Sequence, residues 1–165
     1  MDKPCGMKAL AKLIGFLALA LGAIAAVFLG GMRSKSPAVL DGVRRVSRAT
    51  KGYVLPLAGT PGSAYAIVRH VGRKSGREYE TPMQPVATDD GFAVALPYGP
   101  NTDWLKNVLA AGNATILYEG KTIAVDHPEV VPMADANDLF PPNQQRMHNL
   151  FRVEDCLLLR AAPAA

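Results

Sequence analysis

The stretch that decides the fold is RHVGRKSGREYETP, residues 69–82. Gly72 and Gly76 bracket a turn here, between two segments whose residues alternate as in β-strands. The turn carries three cationic side chains: Arg73, Lys74 and Arg77. Backbone N–H groups and cationic side chains that share so small a volume suit a phosphorylated or polycarboxylate ligand. A basic hairpin tip held in solvent is the competing explanation of the same residues.

Short strands interrupted by a helix account for the carboxy-terminal part of the chain. We predict strands over residues 64–71, 77–88, 91–98, 114–118, 121–126 and 153–160. Pro82 and Pro85, inside the second of these strands, predict an edge, a bulge or a bend. A helix is predicted from Thr102 to Gly112, and a second helical stretch covers about residues 133–151. This order of elements predicts a mainly β, α+β domain that forms an open or split β-barrel.

The amino-terminal region predicts a membrane-spanning helix. Leu13 to Gly31 contains 19 residues and no charge, and as a helix it would extend about 28 Å, close to the hydrocarbon thickness of a bilayer. More basic residues follow this segment than precede it, which predicts a single-pass protein of the cell membrane with a cytoplasmic carboxy-terminal domain. A cleaved signal peptide is the alternative, because Ala23-Ile24-Ala25 resembles a cleavage site. Cleavage there would leave an exposed apolar end, which favours an uncleaved anchor.

These features divide the chain into four segments. Residues 1–12 are a tail, residues 13–31 are the transmembrane anchor, residues 32–59 are a basic juxtamembrane helix and linker, and residues 60–165 are the barrel domain. The juxtamembrane helix is predicted over residues 36–50, with an apolar stripe on one face. Its arginines lie away from that stripe, near the membrane exit, where anionic lipid attracts them. A solvated basic face on a helix packed against the domain is compatible with the same pattern.

Composition and motifs exclude several classes of function. The formal net charge of +4 is too small to indicate nucleic acid, and the predicted strands lack the exposed aromatic series that stacks bases. The two cysteines and three histidines have no spacing that predicts a disulfide or a metal site. The sequence contains no nucleophile elbow, no Walker loop and no dinucleotide fingerprint. The anion-binding turn and the loop at residues 95–100 instead suit a flat cofactor with a charged tail.

Three sequence blocks resemble a known family. They are VGRKSGREYETP (71–82), DDGFAVALPYGPNTDWLKNVLAAG (89–112) and ATILYEGKTIAV (114–125). Together they look like the deazaflavin (F420)-dependent nitroreductase and quinone reductase family, over about residues 60–160. The resemblance implies a split β-barrel of the FMN-binding-like type that uses reduced coenzyme F420.

The resemblance also implies a set of cofactor-binding residues. These are Gly72, Arg73, Lys74, Ser75, Gly76, Arg77, Thr81, Pro82, Met83, Pro97, Tyr98, Gly99, Trp104 and Asn107. Residues 72–77 would hold the phosphate and anionic tail, residues 81–83 would lie along the deazaflavin ring, and residues 97–99 would form the loop beside it. Trp104 and Asn107 would close the pocket.

The resulting hypothesis is a membrane-anchored oxidoreductase that transfers hydride from reduced F420 to a lipophilic acceptor, such as a quinone or a nitro compound. Tyr98 is the candidate proton donor. The segment before Trp104 lacks the glycine pair and His-Pro of the best-known nitroreductases of the family, which leaves the acceptor open. The alternatives are FMN in the same fold, or a non-catalytic membrane-anchored carrier of haem or lipid. The expected partners are the membrane and a small lipophilic molecule, without nucleic acid, and a homodimer is one option for the assembly.

Four single residues have a purely structural explanation as well as a functional one. Trp104 is expected either in the core or at the pocket, and His70 is expected half-buried on its strand. His148 is expected at the solvent or at the pocket rim, and His127 in a loop.

Overall fold

The computed structural model describes the backbone of residues 5–162 and the side chains of residues 14–162. Within that part of the chain, two helices precede an antiparallel sheet. The elements are α1 (Cys5–Arg33), α2 (Pro37–Val54), β1 (Ala66–Val71), β2 (Glu78–Met83), β3 (Val86–Thr88), β4 (Gly91–Ala95), α3 (Asp103–Ala111), β5 (Asn113–Tyr118), β6 (Lys121–Pro132), α4 (Met133–Ala136), α5 (Pro142–Phe151) and β7 (Asp155–Ala161). The first residues of the predicted tail, 1–4, and residues 163–165 lie outside the described residues.

The sheet curls until its two edges almost meet. Its strand order is β2-β1-β5-β6-β7-β4-β3, with neighbouring strands antiparallel. The edge strands β2 and β3 are nevertheless consecutive in the chain, because β2 ends at Met83 and β3 begins at Val86. Three peptide steps span at most about 11 Å, so the two edges lie close together although they are not paired in the sheet. This arrangement is a split barrel, and it confirms the predicted fold class.

The interior of the curled sheet holds the larger of two apolar clusters. Ala66 and Val68, two residues apart on β1, are fully buried there together with Ile116 of β5. The helix α3 contributes Leu105 and Val108, which are also fully buried. Burial at every second strand residue and on one helix face is what the sequence pattern predicts. The second cluster joins α4 and α5 to the other face of β4 and β7.

The helix α3 matches its predicted bounds. Its end is set by Gly112, whose φ of 71° is the left-handed conformation that commonly follows a helix. Thr102 occupies the N-cap position without a side-chain capping bond, and its carbonyl accepts the N–H of Lys106 at 3.1 Å. α3 packs against β1, β5 and β6, which fixes its first turn beside the basic turn that follows β1.

The predicted strand over residues 77–88 is two strands in the structure. Pro85 lies at the break, where the chain crosses from one sheet edge to the other. A proline has no N–H to donate to a ladder, so the prolines mark this crossing as the sequence suggested. The predicted strand over residues 91–98 also stops early, at Ala95, and a turn follows it.

The predicted strand over residues 121–126 is too short. β6 continues to Pro132 through a bulge between Asp126 and Glu129. His127, expected in a loop, lies at this bulge with a φ of 48°. A bulge inserts an unpaired residue without ending the strand, which a period-two sequence pattern does not reveal.

The two amino-terminal helices are continuous and pack on each other. Ile14–Arg33 has a mean hydropathy of 2.3, and its apolar window is not buried. Length and composition of this kind fit a membrane anchor and a signal sequence alike. α2 extends the predicted helix 36–50 to Val54. Gly31 allows the contact between the helices, since a Cβ at that position would overlap the side chain of Val39.

We expect Leu105→Ala to lower the free energy of unfolding by about 3 kcal/mol, because the deleted atoms leave a cavity in a fully buried site. Leu109→Ala on the same helix is the matched control, since Leu109 is 41% exposed, and its loss should stay below about 1 kcal/mol. Urea unfolding followed by the fluorescence of Trp104, the single tryptophan, measures both losses. Equal losses in the two variants would contradict the packing of α3 described above.

Candidate functional site

A broad groove of about 1820 Å³ opens along the barrel. Its walls come from the basic turn after β1, the crossing between β2 and β3, the loop between β4 and α3, and the helices α1, α2 and α5. These segments are far apart in sequence, so the groove exists only in the assembled fold.

The groove brings together most of the residues that the resemblance implied. Those that line it are Gly72, Arg73, Lys74, Ser75, Thr81, Pro82, Met83, Pro97, Tyr98, Gly99, Trp104 and Asn107. Gly76 and Arg77 belong to the same turn but lie outside this lining. A common location is thus observed for this set, whereas contact with a cofactor stays a prediction for each residue.

The backbone of the basic turn depends on its two glycines. The N–H of Gly72 donates to the carbonyl of Arg77 at 2.7 Å, and the N–H of Gly76 donates to the carbonyl of Gly72 at 2.8 Å. Gly76 has a φ of 65°, which glycine adopts without steric cost. A Cβ on Gly72 would lie 2.6 Å from the ring of Tyr79, which stacks on His70 with 5.8 Å between ring centroids. The turn is therefore closed at both ends and holds its side chains on a defined backbone.

Arg73 ties the turn to the start of α3. Its guanidinium donates to Oδ1 of Asn107 at 2.8 Å and to Oδ1 of Asp103 at 3.0 Å. Its backbone N–H donates to the same Asn107 oxygen at 3.2 Å. The hydrogen bond from Arg73 holds the pKa of the exposed Asp103 carboxyl below its ordinary value. Arg73 therefore orients the turn, and an anionic ligand at this point would share a guanidinium that is already engaged.

Asn107 connects this network to a buried histidine. Both groups of Arg73 are donors, so the Asn107 oxygen faces Arg73 and the amide NH₂ faces Nδ1 of His70 at 3.3 Å. Nδ1 of His70 is then the acceptor, and Nε2 carries the proton and donates to the Thr81 hydroxyl at 3.1 Å. Burial, and secondarily the charge of Lys51, lower the pKa of His70. His70 is only 6% exposed, less than the sequence suggested, and joins β1, β2 and α3 in its neutral form.

The cations of the groove come from two sides. Lys74 belongs to the turn and forms no ion pair among the described residues. α2 contributes Arg44, Arg48 and Lys51 to the lining. The arginines of α2 were expected near the membrane exit, and none of them was expected at the site. Their spacing of four and three residues puts them on one helix face, a signal that could have indicated a shared surface but not the groove it faces.

Apolar side chains form the floor between these cations. Val94 and Leu96 are buried in the core and reach the lining. Tyr118 also lines the groove and packs edge-on against Phe92, with 5.4 Å between ring centroids. Trp104 packs against the core cluster and also lines the groove, and its role in closing a cofactor pocket stays a prediction. A floor of this kind accepts a flat apolar ring, with polar groups at the rim to fix its orientation.

The loop after β4 places Tyr98 at the edge of this floor. The N–H of Gly99 donates to the carbonyl of Leu96 at 2.9 Å, and Gly99 has a φ of 73°. Tyr98 lies inside this turn and is partly exposed. Tyr98 lines the groove, and its role as a proton donor stays a prediction.

The remaining reactive side chains are buried or engaged. Cys156 is fully buried, and burial raises the pKa of its thiol to about 11, so the thiolate is scarce near neutral pH. His148 reaches the groove lining but is only 7% exposed, with its ring edge-on to Phe140. Burial lowers the pKa of His148. In the described part of the chain, no three His, Cys, Asp or Glu residues converge as metal ligands do.

Comparison with known proteins gives distant structural similarity alone. No protein-family description and no curated protein matches the chain. A reductase dependent on reduced F420 (FDR-A) is 16% identical with a TM-score of 0.41, over 59% of this chain and 94% of that protein. A protein of the pyridoxinephosphate oxidase family from Clostridium acetobutylicum is 12% identical with a TM-score of 0.45, over 60% and 75%. HutZ, the heme storage protein of Vibrio cholerae, is 12% identical with a TM-score of 0.45, over 62% and 84%. These similarities leave the cofactor and the activity open.

Acid should destabilise the fold through His70. The pKa of His70 is lowered in the folded state, so below about pH 6.5 the unfolded state binds a proton more readily than the folded state does. The free energy of unfolding is therefore highest above about pH 6.5 and falls as the pH drops below that value. His148 acts with the same sign. His70→Gln keeps a donor towards Thr81 without titrating and should flatten the decline, whereas His127→Gln, at an exposed histidine, should not. Thermal denaturation between about pH 7.5 and pH 5 measures the profiles. An unchanged profile in His70→Gln would contradict the neutral histidine.

Proposed function

We propose that the chain is a membrane-anchored oxidoreductase that binds reduced coenzyme F420 in the groove and transfers hydride to a lipophilic acceptor. The observation that carries the proposal is one groove with an apolar floor and cations on two sides. F420 matches this arrangement, because its planar ring suits the apolar floor and its long polyanionic arm suits the cations. The acceptor is a quinone or a nitro compound.

The donor set of the groove suits the cofactor's tail. The phosphodiester and glutamates of F420 carry several negative charges along an extended arm. Lys74 on the turn, and Arg48 and Lys51 on α2, offer cations to such an arm from two separate parts of the chain. Gly72, Ser75 and Gly76 shape the turn whose backbone would approach the phosphate. Arg77 lies outside the groove lining and is proposed to contact only the distal end of the tail.

The ring is proposed to lie against the crossing between the two sheet edges, residues 81–83. The hydroxyl of Thr81 is held there by His70 at 3.1 Å, so its position is fixed before a ligand arrives. Residues 97–99 lie beside the ring, and Trp104 with Asn107 closes the end of the pocket. Bound in this way, the reduced deazaflavin supplies the hydride.

The chain's own contribution is orientation and exclusion of water. Productive transfer requires the reacting atoms to lie about 3–3.5 Å apart, which a rigid floor can enforce on two stacked planar molecules. Tyr98, or a water bound beside it, delivers the proton that the acceptor takes up. The buried side chains under the groove keep bulk water from the reacting faces.

The apolar helix α1 motivates a lipophilic acceptor. As an anchor, Ile14–Arg33 holds the groove at the bilayer surface, where quinones dissolve. The excess of basic residues after the helix favours the cytoplasmic side for the domain, where a reduced cofactor is supplied.

The two alternatives are less well supported by the groove. FMN carries one phosphate, which leaves the cations of one wall without a partner. A haem carrier would need an axial ligand open to the groove. Both ring nitrogens of His70 are hydrogen-bonded, to Asn107 and Thr81, and His148 is only 7% exposed with its ring edge-on to Phe140. A homodimer stays a prediction.

Removing cations from either wall should weaken the binding of F420. We expect Lys74→Ala and Lys51→Ala each to raise its dissociation constant about tenfold, since each removes one charge contact with the tail. Lys121→Ala, at an exposed hairpin residue outside the groove, is the matched control and should leave affinity unchanged. Titration monitored by cofactor absorbance at low and high salt measures the effect, which should shrink in salt. If Lys51→Ala matches Lys121→Ala, the proposed tail site along α2 is wrong.

Turnover tests the reaction itself. The purified chain in detergent is mixed with reduced F420 and a menaquinone analogue, and the loss of reduced cofactor is followed by absorbance. Quinone-dependent oxidation is the expected result. Binding of F420 without oxidation would reject the acceptor, and a chain purified with a tightly bound yellow FMN would reject the cofactor.

A further inference from the structure

The groove lining is apolar where α1 and α5 meet. Phe28 of α1 meets Phe151 of α5 edge to face, with 6.3 Å between ring centroids. Met32 of α1 and Met147 of α5 complete this mouth, and all four side chains line the groove. Met32 is 4% exposed, whereas Phe28 is 44% and Met147 is 47% exposed. We call these four residues the apolar mouth.

When α1 spans a membrane, the apolar mouth extends from the headgroup level, where Met32 adjoins Arg33 and Arg33 donates to the carbonyl of Leu150 at 3.4 Å, to the hydrocarbon at Phe28. Phe28 precedes Arg33 by five residues, which places it about 7.5 Å further along the helix towards its apolar part. Arginine near the end of a membrane helix stays at the headgroups, so Phe28 then lies below them, among acyl chains. The opening of the groove thus continues the exposed apolar surface of α1, which includes Ile24 and Val27.

Another part of the groove lining is polar. Lys74 and Asn107 lie there, beside the basic turn that is fixed to α3. A molecule that fills the whole groove from the mouth inward therefore needs an apolar chain and a polar or planar head. A small water-soluble acceptor uses only the inner half and gains nothing from the apolar mouth.

We infer that the apolar mouth is the port through which the acceptor of the proposed function enters from the bilayer, and that its four side chains hold an alkyl or prenyl chain carried by that acceptor. The chain lies between Phe28 and Met147 while the ring moves inward towards Trp104. The inference rests on the proposed function for the role of the ring, but the port itself requires only that such a molecule binds. Phe28, Met32, Met147 and Phe151 are specificity residues in this account, since they contact the chain and not the reacting atoms.

The test uses the full chain in phosphatidylcholine vesicles that contain phosphatidylglycerol. Trp104 is the single tryptophan and lines the groove, so quenching of its fluorescence by a quinone reports binding without turnover. The probes are a naphthoquinone with a decyl chain and the same ring without it. Each dissociation constant is expressed as the concentration of quinone in the membrane. On that scale we expect the decyl compound to bind at least about tenfold more tightly, because only it fills the mouth.

Two pairs of variants separate the port from general membrane contact. Met147→Gln is compared with Leu150→Gln, since both residues lie on α5 and are similarly exposed, at 47% and 40%, but only Met147 lines the groove. Phe28→Ser is compared with Phe16→Ser on α1, because Phe16 is exposed and outside the groove. The variants Met147→Gln and Phe28→Ser should lose most of the preference for the decyl chain, about fivefold or more, and the two controls should keep it.

Three results would overturn the inference. If a variant and its control lose the preference for the decyl quinone equally, that preference comes from the membrane and not from the port. Quenching of Trp104 by brominated acyl chains, without competition from the decyl quinone, would assign the mouth to bilayer lipid. A dimer that is lost in Phe28→Ser would assign it to a second copy of the chain. F420 binding measured in the same vesicles distinguishes the two claims. If F420 binds but the decyl quinone is not preferred, the inference fails and the proposed function stands. If the decyl quinone is preferred but F420 does not bind, the proposed function alone is rejected.

Discussion

The side chain of Asn107 holds the parts of the candidate site in register. Its oxygen accepts two hydrogen bonds from Arg73, and its NH₂ group faces the accepting nitrogen of His70. The basic turn, the first turn of α3 and the crossing at Thr81 are thereby fixed to one another through a single buried amide. An amide suits this position because it offers an acceptor and a donor side by side, which no carboxylate or alkyl group can do. The network leaves Lys74 and Arg77 as the cations of the turn that form no ion pair within the described residues.

The curl of the sheet decides where that network lies in the groove. Since the chain passes from β2 to β3 in three peptide steps, the two sheet edges and the basic turn share one side of the barrel. α1 and α2 also contribute to the groove lining, α2 with further cations and α1 with the apolar side chain of Phe28. Charge on two walls, an apolar floor and an apolar opening come from four separate parts of the chain. The account of function depends on their common groove more than on any one residue.

Much of the fold follows from local sequence. Gly112, Pro85 and the glycines of the basic turn each impose a backbone conformation, so the ends of α3, the break between strands and the turn could be predicted from single residues. The extension of β6 could not, because a bulge changes the pairing without changing the local pattern. The role of Arg73 was also beyond the sequence, since its pairing with Asp103 and Asn107 depends on the packing of α3 on β1. The same is true of Arg48 and Lys51: the arginines of α2 were expected to face lipid or solvent, and the sequence did not indicate that this helix also lines the groove.

The central claim is that the groove recognises a planar ring and its polyanionic arm together. Its most direct test is a fluorescence titration of Trp104 with intact F420 and with the deazaflavin chromophore that lacks the phosphate and glutamates. The account predicts that the intact cofactor binds about a hundredfold more tightly at low ionic strength, and that added salt narrows the difference. Equal affinities for the two molecules, insensitive to salt, would contradict it.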